Sequence, residues 1–146
     1  MAWLTGAMVV NKSVGYSGTP LWKKLGMKEH HRVFTQSAPS DYLKLIEPVP
    51  DGAVLTQQAG SSVDLAHIFV TRKAELSKSL QSLRKKLRAE VPVWVSWPKK
   101  SSKVPTDITE DTIREVALPL GFVDIKVCAV SDVWSGLKLV VRKELR

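Results

Sequence analysis

The residues with the clearest chemical potential in this chain are Lys99, Lys100 and Lys103, which follow the apolar run Val93-Trp94-Val95-Ser96-Trp97 after Pro98. A strand that empties into a basic loop presents ammonium groups at the edge where open α/β sheets bind ligands. A helix predicted over residues 110–118 begins soon afterwards, and its first amides also favour anions. Lys99, Lys100 and Lys103 therefore read as one wall of an anion site, with Tyr16, Ser17 and Thr19 arching over it from the N-terminal block. Trp134 reads as a second kind of site, either an anchor for a partner protein or the cover of a sheet edge.

Few other residues offer chemistry. A single cysteine, Cys128, excludes an internal disulfide, and with three scattered histidines it makes no zinc-ligand spacing. A reducing, cytoplasmic setting is expected, with Cys128 as inert packing at a sheet margin. His67 stands between Leu65 and Phe69 and reads as a hydrogen-bonded core histidine, whereas His30 and His31 are expected to be exposed. No nucleophile elbow and no phosphate-binding glycine loop occurs. The apolar start of the chain lacks a basic leader, and Asn11-Lys12 interrupts it short of a spanning length, so neither a signal peptide nor a membrane partner is expected.

Charge is concentrated rather than spread. The window from Arg72 to Lys103 holds ten Lys or Arg against Glu75 and Glu90, which equals the whole formal charge of +8. Residues 104–124 are acidic, with Asp107, Glu110, Asp111, Glu115 and Asp124 opposed only by Arg114. Such a basic window has two readings. It is a solvated helix face ending in dipole-stabilising cations, or it is a nucleic-acid face of Arg84, Lys85, Lys86, Arg88 and the loop lysines. Trp94 or Trp97 would then stack on a base. Solvated charge and core-filling tryptophans are the favoured reading.

These residues need elements to position them. Thr19 as N-cap, Pro20 at the first helical position and Gly26 just past the end predict a short helix. A strand over 31–36, a helix of two or three turns over 39–47 and a strand over 53–57 follow, the last after the Pro50-Asp51-Gly52 turn. Residues 64–70 are apolar on both faces, as in a covered parallel strand. Leu76, Leu80, Leu83 and Leu87 share one face of a helix over 72–89. A strand over 91–97 is stopped by Pro98, and a helix over 110–118 is capped by Asp107 or Thr109 and closed by Pro119 and Gly121. Strands over 122–130 and 136–142 form an antiparallel hairpin joined through 131–135, with Gly136 supplying a backbone conformation that other residues resist. Val123, Ile125, Val127 and Ala129 are expected on one face of the first, with Asp124 and Lys126 on the other. The pattern predicts one α/β domain over 15–146, a three-layer Rossmann-like sandwich on a mostly parallel six-stranded sheet, preceded by an extension over 1–14 in which Met8 is an alternative start.

Three blocks carry a family resemblance. Gly15-Tyr16-Ser17-Gly18-Thr19-Pro20-Leu21-Trp22-Lys23-Lys24-Leu25-Gly26, Trp94-Val95-Ser96-Trp97-Pro98-Lys99-Lys100 and Trp134-Ser135-Gly136-Leu137-Lys138-Leu139-Val140 together resemble a bacterial domain-of-unknown-function family of small, methyltransferase-like proteins. The closing β-α-β-β run also resembles the end of class I methyltransferase folds. That likeness implies a truncated version of the fold, one strand-helix unit short, with sheet order 2-1-3-4-6-5 in the strands just described.

A methyltransferase of this kind has a glycine-rich loop after its first strand and an acid at the end of its second. Here residues 36–41 contain no glycine, and the second strand ends Thr56-Gln57-Gln58. Gln57, with Ser37 or Ser40, is what remains to meet a ribose. The leading expectation is a non-catalytic protein with a degenerate methyltransferase-like fold, needing no cofactor, whose partner is an anionic small molecule or a protein. A minimal S-adenosylmethionine-dependent methyltransferase is the first alternative, and a nucleic-acid accessory protein the second.

Overall fold

Two strands are buried at every residue, Leu65–Phe69 and Val93–Pro98, and a strand can bury both of its faces only between two covering layers. The computed structural model describes residues 18–146. Tyr16, Ser17, the extension over 1–14 and its alternative start lie outside the described residues. In chain order the elements are α1 (Leu21–Leu25), β1 (Arg32–Gln36), α2 (Tyr42–Leu45), β2 (Val54–Thr56), β3 (Leu65–Phe69), α3 (Lys73–Lys86), β4 (Val93–Pro98), α4 (Glu110–Ala117), β5 (Phe122–Ala129) and β6 (Trp134–Val141). The sheet runs β2-β1-β3-β4-β6-β5. The first four strands in that order are parallel, and β6 lies antiparallel to both β4 and β5. This is the expected order, hairpin included.

Each face of the sheet has its own core. Leu76, Leu80 and Leu83 of α3 and Ile113 and Ala117 of α4 pack on Ala66, Ile68, Val93, Val95, Leu137 and Leu139. On the other face Leu21 and Leu25 of α1 and Tyr42 of α2 pack on Val33, Leu65, Phe69 and Trp94. Trp94 is fully buried, and its indole N–H donates to the Leu25 carbonyl at 2.9 Å, which ties α1 to the middle of the sheet. Both tryptophans of β4 are core residues, as expected.

Several boundaries differ from the sequence expectation. Pro20, not Thr19, is the N-cap of α1, and its carbonyl accepts from the Lys23 and Lys24 amides at 3.1 Å each. The helix expected over 39–47 is the single turn α2, because a proline at 48 disfavours helical backbone at the residue before it. Helix α3 stops at Lys86. Leu87 turns extended and packs against the core, while Arg88 is held by Asp64, Glu90 and the Ser61 carbonyl. Pro98 stops β4, as expected, but as the strand's own last residue, opposite Trp134, and just past it Lys99 donates to Val133 O at 2.7 Å.

The hairpin holds two further corrections. Trp134 and Ser135 belong to β6 rather than to the connection, so Gly136 lies within the strand. Its role is close approach rather than unusual backbone: a Cβ there would sit 3.0 Å from Val130 Cγ2 and 3.3 Å from Trp94 Cε3. In β5 the pairing shifts between Asp124 and Lys126, which face Leu139 and Lys138 respectively. This bulge at Ile125 breaks the alternation, so Asp124 points to the α4 side while Lys126 and Cys128 point to the α1 side. Ile125 and Val127 are left more than half exposed.

Because both neighbours of Gly136 are buried, Gly136→Ala should lower stability by about 1–3 kcal/mol in urea unfolding. An unchanged midpoint would mean that Val130 and Trp94 yield without cost.

Candidate functional site

Strands β1 and β3 are neighbours, but β1 leads outward to β2 and β3 leads the other way to β4, so a crevice opens at their carboxyl ends. Gln36 ends β1 there, and Ser37 follows in the left-handed region at φ 56°. An L-residue pays roughly 1–2 kcal/mol for that backbone. The turn that a glycine usually supplies is therefore present without one. Gln36 reaches toward α3, where its amide donates to Ser79 Oγ at 2.7 Å.

No helix occurs in residues 57–64, the connection from β2 to β3. The α3 side of β1 and β2 consequently keeps an open cleft of about 430 Å³, lined by Phe34, Gln36, Gln57, Gln58, Ser79, Ser82 and Lys86 among others. It occupies the space of the strand-helix unit expected to be missing. Amides, hydroxyls and one ammonium surround an aromatic ring, a lining that can hydrogen-bond sugar hydroxyls and hold a flat apolar group. Ser79 and Ser82 carry no sequence signal, since serines on a helix surface are ordinary.

The opposite face contains the most tightly organised polar group. His67 is fully buried in β3, its Nδ1 2.8 Å from the Tyr42 hydroxyl and its Nε2 2.7 Å from Ser96 Oγ. Its ring stacks on Phe69 at 4.4 Å, and Phe69 in turn meets Trp134 edge-on at 5.0 Å. Desolvation pushes the imidazole down to about 3 and raises the Tyr42 phenol. The Ser-His-Tyr chain resembles a catalytic relay in composition but is sealed, as expected of a core histidine. Burial also raises the Cys128 thiol, in keeping with an inert side chain.

Lys99 is half-buried, and Lys100 and Lys103 are exposed, with Lys103 left-handed at φ 61°. The amides expected to help them are engaged. Thr109 and Thr112 form a reciprocal capping box on α4, with Glu110 and Asp111 in the same turn, and Asp107 accepts from the Lys73 amide at the start of α3. Thr19 lines a different cleft, with Lys23, Lys24 and Lys126. Trp134 is half-buried against Phe69. In the helix cluster, Arg84 donates to Leu120 O at 3.0 Å and Arg88 is committed to Asp64, which leaves Lys85 and Lys86 exposed. Among the described residues no group of three or more His, Cys, Asp or Glu gathers to hold a metal, and no helix is long and apolar enough to cross a membrane.

Solved structures similar to this chain include methyltransferases. A SAM-dependent methyltransferase from Aquifex aeolicus is similar at TM-score 0.63 and 14% identity, covering 83% of this chain and 88% of its own. A putative type 11 methyltransferase from Sulfolobus solfataricus follows at 0.58 and 12%, covering 84% and 90%. The fold is Rossmann-like and methyltransferase-like. TrmN from Thermus thermophilus is similar at 0.52 and 12%, over 84% of this chain and 47% of that one. No family model and no curated protein matches, so the likeness is one of fold alone.

His67 generates a pH prediction. The unfolded chain takes up a proton near pH 6.5 that the folded imidazole accepts only near 3. Its contribution is therefore complete above pH 6.5 and drains as pH falls toward 3, at about 1.4 kcal/mol per pH unit in between. Urea titrations from about pH 7 to about pH 4 should show this slope in the wild type and a flatter one in His67→Gln. Equal slopes would assign the acid sensitivity to other groups.

Proposed function

We propose that this chain is a minimal S-adenosylmethionine-dependent methyltransferase that binds its cofactor's nucleoside in the cleft where Gln36, Gln57 and Gln58 meet α3. The observation that carries the reading is the cleft itself, which lies along the α3 side of β1 and β2 and includes in its lining Gln36, at the carboxyl end of β1, and Gln57 and Gln58, just past the end of β2. The similar structures include SAM-dependent methyltransferases and LepI in complex with SAM, the latter at TM-score 0.53 and 11% identity over 91% of this chain and 50% of that one. Its volume of about 430 Å³ lies in the range of ligand pockets.

The residues present fit a nucleoside, by different means from the usual carboxylate. Gln57 and Gln58 each offer a donor and an acceptor for ribose hydroxyls, Phe34 offers an apolar surface, and Ser79 and Ser82 offer further hydroxyls. When bound, the cofactor's sulfonium supplies an electrophilic methyl group. The chain's part is to bind and orient it. Tyr42 and His67 lie on the other face under α2 and are assigned no proton transfer.

A second reading, binding without transfer, is favoured by the glycine-free 36–41 loop and by Gln57 in place of an acid. The loop lysines Lys99, Lys100 and Lys103 would then receive an anionic ligand, and Trp134 a protein partner. Binding with no methyl transfer to RNA or protein fractions would support this reading over the first.

Calorimetric titration with S-adenosylmethionine and S-adenosylhomocysteine should give saturable binding. Gln57→Ala and the cleft-filling Ser82→Trp should each weaken it by about tenfold or more, equivalent to about 1.4 kcal/mol, with unchanged circular dichroism. No saturable heat with either ligand would overturn the nucleoside-site proposal.

A further inference from the structure

A second cleft, of about 540 Å³, separates α1 from the edge of the sheet, with Lys23 and Lys24 on the helix side and Lys126, Val127, Cys128 and Ala129 on the strand side. The bulge at Ile125 sets Lys126 directly opposite Lys138. Like charges at opposed positions of neighbouring strands repel. Lys138 feels the charges of Lys126 and Lys28, and Cys128 feels those of Lys24 and Lys126, so the hairpin face beside the cleft is electropositive. Asp124, one step along the strand, is turned to the far face and bonded to Arg114 at 3.0 Å. Among the described residues no ion pair includes Lys23, Lys28, Lys126 or Lys138. The fold thus gathers lysines on one face and turns Asp124 away from it.

We propose that the cleft between α1 and the β5–β6 hairpin holds the phosphate backbone of a nucleic-acid strand, gripped by Lys23, Lys126 and Lys138. Lys23 and Lys24 stand on the α1 wall and Lys126 on the β5 wall, with Lys138 beside Lys126 on the neighbouring strand, and lysines on two facing sides suit a row of phosphates. None of the lining side chains is aromatic, so bases are not stacked there and sequence is not read. An acidic peptide added as a strand to β5 is disfavoured, because the bulge interrupts the edge ladder such a peptide would need. This site is separate from the nucleoside cleft, and its test does not depend on that proposal.

The test is fluorescence anisotropy of the full chain with a labelled mixed-sequence single-stranded RNA across a salt series. Binding should weaken with added salt, with a slope of about −0.7 per lysine contact on a plot of log affinity against log salt. Lys23→Gln/Lys126→Gln/Lys138→Gln should flatten that slope by about 2 and weaken binding by at least about tenfold. The charge-matched control Lys44→Gln/Lys78→Gln/Lys143→Gln, at three exposed positions away from both clefts, should stay within about twofold of wild type. Should the first triple variant fail to melt cooperatively, Lys23→Gln/Lys126→Gln, at two exposed positions, carries the comparison. Equal losses in both sets, no RNA binding at low salt, or poly-glutamate binding through the same lysines in place of RNA would each overturn the proposal.

Discussion

An imidazole sealed from water must find partners for both ring nitrogens inside the protein, and the way His67 does so organises this fold. Its partners come from different elements, Tyr42 on α2 and Ser96 on β4. The bonds therefore hold the short α2 turn down on the sheet and lock the register of β3 against β4. A slip of one residue would carry His67 to the α3 face and strand its nitrogens among leucines, a cost of several kcal/mol that the correct register avoids. Phe69 and Trp134 extend the same layer to β6, so one aromatic row spans from α2 to the hairpin. A helix of one turn has little stability of its own. It persists because Tyr42 is anchored.

With that face closed, the opening falls on the other. Helices α3 and α4 cover β3, β4 and β6, but β1 and β2 receive only the irregular segment 57–64 and the side of α3. The shortened fold thus exposes a polar trough lined by Gln36, Gln57 and Ser79 where a fuller version of the sandwich would place a helix. The loss of a structural unit and the presence of a cleft are one fact.

What the sequence made legible was what repeats. The two-sided apolarity of residues 65–69, the leucines of α3, the Thr109 cap and Gly26 all express local rules, and strand order followed from them and from the resemblance. What stayed hidden depends on distant neighbours. Tyr42 and Ser96 are 25 and 29 residues from His67 and reveal themselves only through the register. Ser37 looks like an ordinary loop serine, because a left-handed backbone leaves no mark on a non-glycine residue. The lysine loop was legible as charge. Its context was not, since the amides expected to assist it are capped by Thr109 and its neighbours. The chemical part of the site was the least legible, because Gln, Ser and Lys on surfaces carry little meaning until a cleft assembles them.

The bulge at Ile125 shows how much one residue can hide. Residues 123–127 alternate without fault on paper, so the strand reads as a single two-sided element. In the folded chain it works as two half-strands in opposite phase, the first delivering an acid to Arg114 and the second delivering a lysine to the far layer. Any relative built without the extra residue would align through this strand only with a one-position gap. Compared without that gap, its lysine would be assigned to the wrong side of the molecule, and a basic surface would be counted as lost when it had only changed phase.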